Sequence, residues 1–209
     1  EKMLFIDLAN KAIGLEIKLG NGWHNFDFSP ENLSLAFTQD NKLYMTSAQS
    51  QPFAVAEDEN PYIVYGQAVH RNEFGITKGT FWSPEGSYLA FYRMDESMVG
   101  DYPLVDISAR EAKLNNIKYP MAGMASHEVS IGVYHVQSGQ TIYLNTGEPK
   151  DKYLTNLAWD PSEKYLYVAE LNREQNHMRP NKYSVETGEL LQTRFEERND
   201  RYVEQTHPM

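Results

Sequence analysis

At 209 residues, of which 41% are hydrophobic and 12% aromatic, the chain can bury a sizeable core as one domain or as a large part of a bigger one. A net charge of -10 with no cluster of Lys and Arg argues against nucleic acid and suits cationic or amine-bearing ligands. No apolar run approaches the roughly 20 residues of a membrane helix, and the lack of cysteine excludes disulfides, thiolate metal sites and a thiol nucleophile.

In chain order, residues 1–20 open without a basic-then-apolar leader, read as the start of a piece of a longer chain, and predict a hairpin through the strand-and-turn pattern of residues 4–10. A repeat then emerges. An aromatic stands two residues before a proline in Phe28-Ser29-Pro30, Trp82-Ser83-Pro84 and Trp159-Asp160-Pro161, and Leu35, Leu89 and Leu166 each follow that proline by five. Ser or Asp can bond to the backbone ahead, Pro pre-sets φ at the next position, and Asn32, Gly86 or Glu163 ends the turn. The apolar runs that follow, Leu35-Ala36-Phe37, Leu89-Ala90-Phe91 and Leu166-Tyr167-Val168, make each copy a predicted β-hairpin. A second recurring half, residues 131–139 and 182–188, runs a strand through a Gly turn into another strand. Two hairpins make a four-stranded sheet.

The repeated aromatics stand 54 and then 77 positions apart, against roughly 40 to 50 residues for a propeller blade. The expected fold class is therefore all-β, a partial β-propeller of about three to four four-stranded antiparallel blades. Residues 1–20 form the outer hairpin of an incomplete blade, residues 23–59, 78–147 and 153–197 form blades, 60–76 and 93–127 are insertions, and 198–209 begin a next blade. The competing reading is a β-sandwich or ordinary sheet protein with fortuitous Ser-Pro turns. The constant Pro-to-Leu distance favours the propeller.

Chemistry is sparse. No Gly-x-Ser-x-Gly, His-Glu-x-x-His, Gly-rich phosphate loop or calcium loop occurs, so neither a catalytic residue, a metal site nor a cofactor is expected within this chain. His24, His70, His127, His135, His177 and His207 lack ligand spacing and read as surface residues. Long loops on a rigid scaffold commonly carry function, which directs attention to the insertions. In His70-Arg71-Asn72-Glu73-Phe74-Gly75-Ile76, one helical turn anchored by Phe74 and Ile76 would point Glu73 away from its own blade. The alternative pairs Glu73 with Arg71 or Lys78 on a solvated loop, worth about 0 to 1 kcal/mol, and composition alone favours it. Asp95 and Glu96, just after a core strand, read as a strand-end turn or a cation-facing rim.

These stretches carry a resemblance. Asn60-Pro61-Tyr62-Ile63-Val64-Tyr65-Gly66, then Val69-His70-Arg71-Asn72-Glu73-Phe74-Gly75-Ile76, then Phe81-Trp82-Ser83-Pro84 and Leu89-Ala90-Phe91-Tyr92, resemble the β-propeller domain of the dipeptidyl peptidase IV family, nearest to its bacterial members, including prolyl tripeptidyl peptidases. Tyr119-Pro120-Met121-Ala122-Gly123 is similar to the family's Tyr-Pro-Lys-Ala-Gly segment, with Met121 in place of Lys.

The resemblance implies a serine exopeptidase in which an eight-bladed propeller caps an α/β-hydrolase domain that carries the triad. Its substrates would be peptides with a free N-terminus, released as Xaa-Pro type di- or tripeptides. The family's propeller glutamate, which binds the substrate α-amino group, matches Glu73. Where animal members have two adjacent glutamates, Arg71 and Asn72 stand before Glu73, so a second carboxylate would come from elsewhere, such as Asp95 or Glu96. The family's propeller arginine would lie upstream of Glu1. The resemblance further implies export to the periplasm, cell surface or medium of a bacterium, and leaves homodimer formation open to the parent. Two other readings stand beside it: a non-catalytic propeller that binds protein partners, and a glycoside hydrolase using Asp95 or Glu96, which needs two carboxylates about 5 to 10 Å apart.

Overall fold

The computed structural model describes residues 1–204, and its regular structure is β, with a pair of tight turns over His70–Gly75. Strands β1 (Lys2–Asp7) and β2 (Ala12–Lys18) form a hairpin. The Asp7 carboxylate closes its turn by accepting the Ala9 and Asn10 N–H groups at 2.9 and 3.2 Å. The next sheet is an up-and-down meander of β3 (His24–Ser29), β4 (Ser34–Gln39), β5 (Lys42–Ser47) and β6 (Ser50–Ala56). Asp40 and Asn41 have φ of 49° and 64°, so a two-residue turn of the kind that suits strand twist joins β4 to β5.

The third sheet departs from the expected four strands. Strands β7 (Ile63–Tyr65) and β8 (Thr80–Trp82) lie end to end along one edge of β9 (Tyr88–Asp95). A separate hairpin, β10 (Asp101–Asp106) with β11 (Lys113–Lys118), projects before β12 (Glu128–His135) and β13 (Gln140–Tyr143) complete the sheet. Residues 60–76 are thus not wholly a loop, and Asp95 belongs to a strand. The fourth sheet is also five-stranded: β14 (Tyr153–Trp159), β15 (Tyr165–Leu171), β16 (His177–Ser184) and β17 (Leu190–Thr193), with β18 (Glu197–Arg198) bonded to β16. Val203 is buried against this sheet and its N–H donates to Gln175 O at 2.7 Å. Of the segment expected to begin another blade, residues 205–209 lie outside the described residues.

The repeated Pro turns have a physical reason. Gly86 and Glu163 donate N–H to Ser83 O and Asp160 O, each at 2.9 Å, with φ of 69° and 58°. In the first copy the left-handed step falls on Leu33, not Asn32. The Asn32 side chain is otherwise engaged: its carbonyl accepts Ser34 N–H and its amide donates to Gly86 O in the next sheet at 2.6 Å. The aromatic of the unit is a hook. Trp82 Nε1 donates to Asp27 O at 3.1 Å, and Trp159 Nε1 donates to Phe81 O at 3.0 Å, each reaching the carbonyl just before the preceding sheet's own aromatic. The Phe28 ring carries no N–H and stacks on Phe5 of the first hairpin, with ring centroids 3.7 Å apart.

The core explains why β9 is apolar without alternation. Leu89 and Phe91 pack towards the second sheet, against its Ala36 and Leu43 and against Tyr65 of β7. Ala90 and Tyr92 point the other way into a cluster with Leu154, Leu166, Val168 and Tyr183 of the fourth. Tyr92 OH also donates to Leu154 O at 2.9 Å. Among the described residues no helix is long and apolar enough to cross a membrane. The hooks give a direct prediction: Trp159→Phe, which keeps an aromatic face and deletes the N–H, lowers stability by about 1 kcal/mol. The measurement is the denaturant midpoint at unchanged slope.

Candidate functional site

The insertion after β7 leaves the core at Val69 and returns at Ile76, both buried. Between them the chain does not form the ordinary helical turn expected from sequence. His70, Arg71 and Asn72 have φ of 52°, 57° and 61°, Glu73 is extended at φ −70°, and Phe74 returns to φ 56°. Hydrogen bonds from Asn72 N–H to Val69 O and from Ile76 N–H to Glu73 O, both 3.1 Å, close the two halves. Left-handed geometry costs an L-residue about 1 to 2 kcal/mol, so such a turn persists only where surrounding contacts impose it.

Those contacts are specific. Phe74 packs on Tyr153, centroids 4.9 Å apart, at the edge of a cluster with Leu171, Met178 and Val203. His70 is buried, T-shaped against Tyr153, and its Nε2 accepts the Leu154 N–H at 3.1 Å. Because Nε2 accepts, neutral His70 carries its proton on Nδ1 and donates it to His127 Nε2 at 3.2 Å. His127 then bears its own proton on Nδ1, a buried atom with no partner among the described residues. Burial, reinforced by the neighbouring His127 and by Arg173, brings His70 down to about 3, and burial with Arg71 and Arg173 brings His127 down to about 4. Both are neutral near pH 7.

This corrects the surface reading of these two histidines. His135 and His177 are partly buried, bonding Ser138 and Glu196, His24 is exposed, and His207 lies outside the described residues.

The polar residues around the turn divide into engaged and free. Arg71 donates to Lys118 O and lies over the Tyr119 ring at 4.6 Å, which ties the turn to the base of the β10–β11 hairpin. Lys118 is itself held by Asp101 and Val99 O, each at 3.0 Å. Asp95 accepts the Ser97 N–H at 2.9 Å, the strand-end arrangement. Glu96 is partly buried, and burial raises its carboxyl against the opposing pull of Arg71 and Lys118. Lys78 pairs with Asp27 at 3.1 Å. Neither Arg71 nor Lys78 is therefore bound to Glu73, whose exposed carboxylate has no hydrogen bond or ion pair among the described residues. Asn72 is exposed beside it.

One buried polar cluster went unnoticed in the sequence. Lys152 and Glu170, 5% and 3% exposed, pair at 2.9 Å. Glu170 Oε1 accepts Asn181 Nδ2 at 2.7 Å and the Tyr183 hydroxyl, while Lys152 donates to Thr146 O. A glutamate inside the apolar run Val168-Ala169-Glu170-Leu171 was the signal for it. Among the described residues no three His, Asp or Glu converge as metal ligands.

Sheets joined side by side by repeated indole hooks, with an exposed acid on a strained insertion between two of them, define a partial β-propeller. Residues 8–209 match the profile of the dipeptidyl peptidase IV (DPP IV) N-terminal region, and the chain belongs to that family. A Bacteroides ovatus protein, crystallised as a candidate dipeptidyl aminopeptidase IV, superposes with a TM-score of 0.90 at 48% identity, covering 99% of this chain and 28% of its own. Porphyromonas gingivalis dipeptidyl peptidase 4 gives a TM-score of 0.78 at 26% identity, over 86% of this chain and 26% of its own. The dipeptidyl aminopeptidase B of Saccharomyces cerevisiae is 33% identical over 144 residues, 63% of this chain and 18% of that protein. The chain thus spans about a fifth of the curated relatives it matches, which include fungal proteins.

Proposed function

We propose that this chain is the substrate-gating part of a serine exopeptidase that releases Xaa-Pro type peptides, and that Glu73 binds the free α-amino group of the substrate. The observation that carries this reading is the exposed, unpaired Glu73 carboxylate on a turn whose strained backbone is imposed by the neighbouring sheet.

The chemistry follows from what an exopeptidase must recognise. The distinctive feature of a peptide's N-terminus is its ammonium. A carboxylate held at fixed distance from a nucleophile acts as a ruler, because only substrates whose ammonium reaches it place the scissile bond correctly. A rigid presentation matters more than an additional charge, since a 1 Å displacement is enough to cost much of the rate. The triad belongs to the hydrolase portion of the parent. Asp95 is committed to its turn, and Glu96 lies within the electrostatic reach of Arg71 and Lys118.

The test compares free and N-acetylated Xaa-Pro substrates on the full-length enzyme. Acetylation removes the ammonium and is expected to lower kcat/KM at least about tenfold. Equal turnover of the two substrates sinks the reading.

A further inference from the structure

We propose that His70 and His127 are positioning residues for Glu73, forming an imidazole relay that fixes the left-handed turn from which the carboxylate projects. The proposal rests on the reading of Glu73 as the ammonium-binding group.

Three consecutive non-glycine residues in the left-handed region do not hold themselves there, and His70 is the first of them. Its ring joins three segments far apart in the chain. Nε2 takes the Leu154 N–H at the start of the fourth sheet, Nδ1 meets His127 Nε2, and His127 immediately precedes β12 at the end of the β10–β11 insertion. The turn is thereby registered both to the neighbouring blade and to the returning arm of the long insertion, whose base Arg71 already touches through Lys118 O and Tyr119.

The protonated ring has two donors and no acceptor, whereas the neutral imidazole supplies an acceptor on one edge and a donor on the other. Burial keeps both rings in that form, and the relay ends in a buried Nδ1–H with no partner among the described residues. A buried donor left unpaired in a native structure is a cost, and here it accompanies the geometry that presents Glu73. Phe74 and Ile76 anchor the far end of the turn by packing, which leaves orientation at the near end to His70.

The test uses the full-length enzyme and reads the ratio of kcat/KM for a free-amine substrate to that for its N-acetylated form. His70→Phe is expected to lower this ratio about three- to tenfold with little change in turnover of the acetylated substrate. A residue that only supports folding would lower both rates together and leave the ratio alone, and that result overturns the proposal. His70→Gln places an amide oxygen near the Nε2 position and keeps the acceptor for Leu154 N–H, whereas His70→Asn does not reach it. Should the Phe variant fail to fold, Gln is expected to stay within about twofold of the wild-type ratio and Asn to fall at least about threefold. Equal ratios in Gln and Asn variants overturn the relay. Glu73→Gln run in parallel separates the two layers: if it leaves the ratio intact, the ammonium reading fails whatever His70 does. If it collapses the ratio while His70→Phe does not, only the positioning role is lost.

Discussion

Glu73→Gln in the full-length enzyme is expected to lower kcat/KM for free-amine Xaa-Pro substrates at least about tenfold while leaving the folded structure intact. The amide preserves size and one acceptor oxygen but removes the charge, so the difference isolates the attraction between carboxylate and ammonium. Removing one member of a desolvated, hydrogen-bonded charge pair costs about 2 to 5 kcal/mol. At about 1.4 kcal/mol per decade, that is roughly 30- to 5,000-fold.

The attraction is strong only in a water-excluded site. On an exposed carboxylate facing bulk solvent the same pair is worth about 0 to 1 kcal/mol, so the size of the loss also reports how well the bound site excludes water. Because the Glu73 side chain bonds to no described residue, its thermal midpoint should stay at the wild-type value. The acetylated substrate, lacking the ammonium, should be turned over equally by both enzymes. Unchanged kinetics on the free-amine substrate would remove Glu73 from the ruler role.

The second large effect concerns stability. Lys152→Met is expected to destabilise the protein by roughly 3 to 5 kcal/mol, because it leaves the Glu170 carboxylate buried without its cation. Arg179, at 3.7 Å and partly exposed, compensates poorly. The same change strips Thr146 O of its donor. Adding Glu170→Gln should recover at least half of the loss, since a neutral amide oxygen can still accept from Asn181 and Tyr183. Urea unfolding of the single and double variants decides it. A single-variant loss under about 1 kcal/mol would mean that water or Arg179 takes over the role of Lys152.

The scaffold was legible because its demands recur. The Pro-to-Leu spacing reappears since each blade needs the same tight turn, the same buried Leu35, Leu89 or Leu166, and an aromatic at the same place. Strand β7 was hidden because Ile63-Val64-Tyr65 is too short for a periodicity to show, and β10–β11 because Lys113-Leu114-Asn115-Asn116-Ile117-Lys118 carries little apolar alternation. Glu73 could be singled out as an acid on an insertion, but not its backbone. Asn72 and His70 tolerate the left-handed region singly, but Arg71 and Phe74 do not favour it and a run of such residues is not read from sequence, so tertiary contacts overrode local preference. The His70–His127 relay spans 57 positions and leaves no trace in local sequence. The Lys152–Glu170 pair was half visible, in one charge set among buried neighbours.

The indole hooks carry a consequence for how such proteins diversify. Trp82 and Trp159 reach equivalent carbonyls of the preceding sheet although the segments looping out between them differ widely in length. Angular spacing around the hub is thus decoupled from whatever grows at its periphery. Inserts can lengthen, shorten or exchange side chains without rotating one wedge against the next, so relatives can acquire new appetites for peptides while the wheel that carries those inserts keeps its shape.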